Sequence, residues 1–485
     1  MPSSLLRVVF VVFVLGTVTT VSGGTLSVPL QRRGPSPEHY KTLARAISRR
    51  ATDNGTAELT ALNNITAAGY YVDFSIGTPG QSLKFQLDTG SSDTWMNSPQ
   101  TRYCRSAAAQ SQSGYCTATF KPEDSKTFSL VDEGGFDITY LDDQQITGDY
   151  FNDTVTIDGH EITNQQLGLA LSSSRATGIV GLGFSANVAT SNKYPTIVDN
   201  MVDQGIIAHP SFSLYLNGID AQSGTILFGG IDSAKYLGSL ASLPLRPMPN
   251  DRGTNVTSYA IAIKSLSATG VKVPPVAPES VAILDSGSTI CLVPDSIANP
   301  IQDKFGVVTL QAQGGPATPL IDCAWKGGKG KGAGLSFGFG GKTINVPIAD
   351  MAVDNLPEEA QQILKGGDAP PVLRGWGRVC LFGLGGSRAY GVRSDRFYLL
   401  GDTFLRSAYV AYDLANRQVG LAQSNVNATG SNVVEIQKGA KSLPNVTGSD
   451  GPGPEVRQDS ASGRNVPSSV AAVLVLGAAV AFSAV

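Results

Sequence analysis

One short unit occurs twice in this chain, and it limits the possible fold more than any other feature. Phe85-Gln86-Leu87-Asp88-Thr89-Gly90-Ser91-Ser92 returns in the other half as Ala282-Ile283-Leu284-Asp285-Ser286-Gly287-Ser288-Thr289. Each copy carries an apolar strand into an Asp and then into a tight hydroxyl-Gly-Ser turn. A second apolar-apolar-Gly element follows each copy, Gly178-Ile179-Val180-Gly181-Leu182-Gly183 in the first half and Tyr398-Leu399-Leu400-Gly401-Asp402 in the second. Repetition of a whole unit implies two related lobes. The length of 485 residues agrees, being too great for one comfortable core. A lone Asp-Thr-Gly is only a turn after a strand, but chance does not supply two with matched downstream partners.

The rest of the chain from about 67 to 422 reads as short strands broken by Gly, Pro, Asn and Asp. Examples are residues 70–76, 83–87, 154–157, 225–228 and 409–413. Helical periodicity is sparse, with its best candidates at residues 196–204 and 358–364, the latter just after Pro357. Low charge, 15% of residues, and 55 glycines suit turn-rich β structure better than a helical bundle. The expected fold is therefore all-β, with an N-terminal lobe over 67–242 and a C-terminal lobe over 243–422.

Both ends read as processing segments. Residues 1–23 have one Arg7, an apolar run over 8–15 and small residues before the end, the layout of a secretory signal peptide; the run is too short for a membrane span. Residues 24–50 are basic, with Arg32, Arg33, Lys41, Arg45, Arg49 and Arg50 against Glu38, and they end on a dibasic pair. Without residues 1–50 the chain keeps 29 Lys and Arg against 38 Asp and Glu. That acidic balance argues against nucleic-acid binding, and it makes 24–50 a propeptide that pairs with an acidic cleft until cleaved, a solvated linker being the alternative. Residues 423–463 are rich in Ser, Asn, Gly and Pro without periodicity and are expected to form a disordered stalk. The apolar end, 464–485, is laid out as a removed glycosylphosphatidylinositol attachment signal, so that contact with a membrane is only through a lipid anchor at the cell surface.

Cysteine usage fits an oxidising compartment. Cys104 and Cys116 bracket a polar loop, where local pairing closes a short ring at little entropic cost. Cys323 and Cys380 flank a Gly-rich segment, and Cys291 is left over as a small buried hydrophobe. Sequons at Asn54, Asn64, Asn152, Asn255, Asn427 and Asn445 suit a secreted chain.

The chemistry follows from the two Asp residues. Hydrolysing an amide without a metal or a covalent intermediate requires one group to take a proton from water while another gives one to the carbonyl oxygen. Two adjacent carboxyls sharing a proton do both, and their closeness drives their pKa values apart; the aspartic protease pair is the standard instance of the principle. The strand fixes each Asp, the Gly permits a tight turn, and the hydroxyls orient the carboxylate. Other chemistries lack parts: outside His39, only His160 and His209 are present, each far in sequence from any second His or Cys, so neither a metal site nor a Ser-His triad is expected, and no cofactor.

From residue 70 to residue 422 the chain resembles the pepsin family, and specifically its fungal, surface-anchored, yapsin-like members. The resemblance implies a bilobal aspartic protease fold with a long cleft, peptide or protein substrates, sensitivity to peptide inhibitors that mimic the tetrahedral intermediate, and a monomer. Asp88 and Asp285 match its catalytic pair, and Ser91 and Ser288 match the hydroxyls on their outer oxygens. Thr89 and Ser286 match the residues that lock the two turns together, beside Gly90 and Gly287. Tyr140 matches the flap tyrosine, Trp95 the indole that bonds it, Gly181 and Gly401 the glycines of the threading loops, and Cys323 with Cys380 a C-lobe disulfide. The family's flap continues from the tyrosine with Gly, whereas Leu141-Asp142-Asp143-Gln144-Gln145 follows here. Asp142 stands where some fungal members use a carboxylate to accept Lys or Arg before the scissile bond. A working pH on the acid side is expected. A surface binding protein that kept the fold without activity would have lost one of the Asp residues, and a glycoside hydrolase does not fit the strand-turn framework.

Overall fold

A computed structural model describes residues 24–33 and 69–457, apart from short stretches at 106–115, 117, 142–143, 174, 222, 249–254, 312–316, 357 and 367–368. Strands run β1 (Leu26–Arg33), β2 (Gly69–Ile76), β3 (Gln81–Asp88), β4 (Trp95–Asn97), β5 (Ser129–Thr139), β6 (Gln145–Ile157), β7 (His160–Ser172), β8 (Gly178–Gly181), β9 (Ser211–Tyr215), β10 (Ser223–Phe228), β11 (Gly230–Asp232) and β12 (Tyr236–Pro244), before the second half begins. The expected strands are all present, most of them longer than the apolar runs that flagged them. β2 shows why they form: Tyr70, Val72, Phe74 and Ile76 alternate into the core while Asp73 faces solvent.

The repeated unit folds the same way twice. β3 runs parallel to β8, with Asp88 opposite Gly181, and β4 pairs antiparallel to β8 through Trp95 and Ile179. In the second half Val281–Leu284 runs parallel to Phe397–Leu400, and Cys291–Val293 meets the same strand antiparallel at Leu292 and Leu399. Each Asp thus leaves the end of a strand in the middle of a sheet, where both neighbours are paired and the backbone has little freedom.

The two halves are not joined end to end. One sheet of 13 strands holds the first half together with Ala408–Asp413 and Gln418–Ser424 from the end of the second, through β9, β10, β12 and β1. The boundary placed at residue 242 accordingly cuts β12, whose pairing with Gln418–Ser424 ties the halves. Beneath the junction the rings of Phe212, Tyr259 and Tyr412 pack with centroids 4.6–5.9 Å apart, and the Tyr259 hydroxyl donates to the Leu182 carbonyl at 2.6 Å. Of the two expected helices, Ile197–Asp203 carries a capping box between Thr196 and Asp199, and Glu358–Leu364 forms as expected. Helix Asp295–Phe305 was not anticipated because Pro300 lies inside it; Ile297, Ala298, Ile301 and Phe305 bury one face, and Gly306 ends it at φ 69°.

At the two ends the described residues add to one expectation and correct another. The described part of the basic segment is not laid against a cleft: β1 sits inside the sheet, paired to β10 from Leu26 to Gln31 and to β2 from Gln31 to Arg33. Its alternation of Leu26, Val28 and Leu30, all buried, is a strand signal that the surrounding positive charge obscured. The disordered stalk is also corrected over residues 423–457. Val433–Glu435 pairs with β11, Ile436 and Leu443 are buried among Tyr215, Tyr236 and Tyr409, and the Arg457 amide donates to Gly332. A few apolar residues scattered among polar ones carry no period, yet suffice when they meet a groove made by other parts of the chain. Residues 1–23, 34–68 and 458–485, with the signal and anchor segments, lie outside the described residues.

Candidate active site

The two turns meet at the junction of the halves and lock through four hydrogen bonds. Thr89 N–H donates to Ser286 Oγ at 3.2 Å and Ser286 N–H to Thr89 Oγ1 at 2.9 Å, while Thr89 Oγ1 donates to Leu284 O and Ser286 Oγ to Leu87 O. All four donors are buried, so their partners are obligatory. Gln86 adds a tie across the interface, its amide donating to Gly287 O at 3.0 Å; its place in the repeat gave no hint of this.

On this frame the carboxyls take matching positions. Asp88 accepts from Gly90 N–H at 2.7 Å on one oxygen and from Ser91 Oγ at 2.5 Å on the other. Asp285 accepts from Gly287 N–H at 2.8 Å and from Ser288 Oγ at 2.7 Å. The glycines are required by closeness: a methyl group on Gly90 would stand 2.6 Å from Asp285 Oδ1, and one on Gly287 would collide with Asp88. Gly181 and Gly401 thread behind the turns, where a side chain would strike the backbone of Ser92 and Asp93 or of Ser288 and Ile290. Leu182 N–H then donates to Asp88 O, and Asp402 N–H to Ser288 O, each at 2.8 Å.

Both carboxyls are nearly enclosed, with 5% and 7% of their surface exposed, and they lie within hydrogen-bonding reach of each other. Burial, then the charge of Asp88, pushes the Asp285 carboxyl up to about 7, against the pull of Ser288 and Gly287. One proton is thus held by the pair well above the ordinary carboxylate range, as an acid and a base side by side require.

Close enough to Asp88 to feel its charge stands the end of the β5–β6 hairpin. At its tip Tyr140 N–H donates to Gln144 O at 3.1 Å, and the phenol accepts from Trp95 Nε1 at 2.7 Å, the pairing expected from the sequence. Burial and then the nearby Asp88 raise the phenol pKa, so it stays protonated and able to donate. Asp142 lies outside the described residues.

Other residues around the site were missed. Asp93, fully buried, accepts from Tyr150 at 2.8 Å, Tyr194 at 2.6 Å and the Ala189 amide at 2.8 Å, anchoring the hairpin's base to the loop after β8. An acid directly after the Asp-Thr-Gly-Ser-Ser turn and ahead of Trp95 was the only signal of it. Arg175 lies over the Tyr140 ring, its guanidinium carbon 4.6 Å from the centroid; nothing local in Ser173-Ser174-Arg175-Ala176 marks it.

The remaining cysteines and sequons are placed as follows. Cys104 pairs with Cys116 and Cys323 with Cys380. Cys291 is a buried thiol beside Thr403, its pKa pushed up to about 11 by burial. Asn255, Asn427 and Asn445 are exposed, Asn152 is half-buried in β6, and Asn54 and Asn64 lie outside the described residues. His160 is exposed, and His209 is buried against Asp413.

Comparison with known proteins agrees with this geometry. The chain is 33% identical over 385 residues to the probable aspartic-type endopeptidase opsB of Aspergillus fumigatus, covering 78% of this chain and 73% of that one. It is 34% identical over 362 residues to the acid protease of Saccharomycopsis fibuligera, covering 73% and 80%, and 31% identical over 427 residues to rhizopuspepsin-2 of Rhizopus niveus, covering 84% and 95%. Residues 69–424 match the eukaryotic aspartyl protease family, and with the twofold strand-Asp-turn unit and its paired buried carboxyls, the chain belongs to that family and is an aspartic-type endopeptidase.

Proposed function

We propose that Asp88 and Asp285 are the catalytic pair and that they act at acid pH. The observation that carries this is their mutual position, two enclosed carboxyls in contact, each tied on its outer oxygen to a serine hydroxyl and on its inner oxygen to a glycine amide. In the reaction, the ionised carboxylate takes a proton from water as the water oxygen bonds to the peptide carbonyl carbon. The protonated partner gives its proton to the carbonyl oxygen. The resulting diol collapses as a proton passes to the amide nitrogen and the carbon–nitrogen bond breaks. The charge that would build on the carbonyl oxygen is neutralised by the transferred proton, so no cation is needed. Thr89 and Ser286 hold the two turns at fixed separation, and the Tyr140 hairpin covers an extended peptide bound by backbone hydrogen bonds and side-chain pockets.

Preference for large apolar residues, with Lys or Arg accepted through Asp142, is the specificity this reading assigns. Secretion, processing after Arg50, and a lipid anchor near the C-terminus complete it. β1 supports a precursor segment that folds with the enzyme: it is paired on both sides within the sheet, and Arg32 near its end is half-buried, in the field of Arg406 as well as of Tyr70 and Asp402. The test is cleavage of a mixed peptide library across pH by the full secreted chain and its Asp88→Asn and Asp285→Asn variants, with mass spectrometry of the purified protein for processing. Acid-side cleavage abolished in both variants is expected; activity surviving either substitution refutes the pair. Asp142→Ala is expected to depress cleavage after Lys far more than after Phe, and equal losses remove that assignment.

A further inference from the structure

The Tyr140 ring is held on two sides, by groups that come from two other parts of the lobe. Trp95 grips its hydroxyl edge from β4. Arg175 covers its face from the turn between β7 and β8, with 4.6 Å between guanidinium and ring centre. That turn is itself fastened to the body: Asn97 Nδ2 donates to the Arg175 carbonyl at 2.9 Å, and the Arg175 amide donates to Ser173 Oγ at 3.0 Å. Immediately after it, β8 runs parallel to β3 toward the turn of Asp88. At the hairpin tip, by contrast, Leu141 is 55% exposed. Arg175 therefore comes from the body of the lobe and Tyr140 from the end of the β5–β6 hairpin.

A guanidinium is planar and weakly hydrated, so it stacks on an aromatic face and loses little in leaving water; the attraction grows as the site is desolvated. Such a contact exists only while the hairpin end lies near Asp88, and an interaction present in one of two states shifts the balance toward that state. We propose that Arg175 is a positioning residue for the flap, holding Tyr140 over Asp88 and Asp285 through its ring and biasing the hairpin toward the substrate-covering position. The proposal rests on the reading of those two carboxyls as the catalytic pair. Its substance is that Arg175 acts through the tyrosine ring and not by touching substrate.

The experiment is steady-state cleavage by the full secreted chain of two peptides matched except for an acidic residue near the scissile bond, at the optimum pH. Arg175→Met keeps length and apolar contact without the cation, and is expected to lower kcat/KM by about 5- to 20-fold, mostly as a rise in KM, equally for both peptides. Arg175→Lys should recover part of the loss. In a Tyr140→Phe background, which keeps the ring, the Met substitution should cost the same factor again; in a Tyr140→Leu background, which removes the ring, it should cost nothing. Thermal unfolding of each variant separates misfolding from lost positioning, and a variant that unfolds is replaced in the cycle by Arg175→Gln. A loss below twofold, a penalty that persists undiminished without the ring, or a loss confined to the acidic peptide each overturns the proposal. Failure of the underlying reading looks different: the unsubstituted chain would not cleave, or Asp88→Asn would still cleave.

Discussion

Replacing Asp413 by Asn should unfold this enzyme more readily, and by an amount that depends on pH. Asp413 ends strand 408–413 and has no exposed surface. Four donors converge on its two oxygens: His209 Nε2 at 2.9 Å, Asn416 N–H at 3.1 Å, Asn416 Nδ2 at 2.7 Å and Gln418 Nε2 at 2.8 Å. Asn has the same shape but only one acceptor oxygen, and its NH2 would face donors. At least two of the four bonds are lost, and a buried donor without a partner costs about 1–3 kcal/mol, so the expected loss is about 2–6 kcal/mol. Burial alone would raise the Asp413 pKa, but the bonds from His209, Gln418 and Asn416 prevail and hold it below its usual value. A depressed native pKa contributes stability that is present above the unfolded value of about 3.9 and disappears as pH falls through the native one. The difference between the unsubstituted chain and the Asp413→Asn variant should therefore be full at about pH 5 to 6 and shrink once pH drops below about 4. Urea unfolding of the full chain in an Asp285→Asn background, which avoids self-digestion, measures it. A difference under about 0.5 kcal/mol at about pH 6, or one unchanged at about pH 2.5, refutes the reasoning.

Two further outcomes follow from the same geometry. Ser288 Oγ donates to Asp285 and lowers its pKa, so Ser288→Ala should raise that pKa further above about 7, keep the pair singly protonated to higher pH, and move the alkaline limb of the kcat/KM profile upward; a limb that stays in place or moves down contradicts this. A chain ending at Asn425 loses the buried side chains of Ile436 and Leu443 and the bonds from Asn432 N–H to Asp232 and from Tyr236 to Val446 O. At about 1.5–3 kcal/mol per large apolar side chain, truncation should cost about 3–6 kcal/mol, and stability within about 1 kcal/mol of the full chain would show that the segment only rests on the surface.

The sequence by itself determined the parts of this protein whose physics is local. A strand that ends on Asp-Thr-Gly-Ser or Asp-Ser-Gly-Ser has few backbone conformations open to it, and the serine reaches back to the same carboxylate over three residues in both copies. Because the unit occurs twice, two related halves were legible too, as were the Cys104–Cys116 pairing from its short loop and Tyr140, Trp95 and the Cys323–Cys380 pairing through the family resemblance. What only the tertiary structure decided are contacts between segments far apart in sequence. β1 became an interior strand because β10 and β2 offered two unpaired edges to a short Leu-Val-Leu alternation buried in a basic stretch. Residues 425–457 became part of the body because β11 and the Tyr215, Tyr236 and Tyr409 rings gave a strand edge and a groove to an otherwise featureless segment. Asp93, Arg175, Gln86 and Asp413 carry no motif, since what each does is fixed by the donors, ring or carbonyl that folding brings to it, and those partners are written elsewhere in the chain.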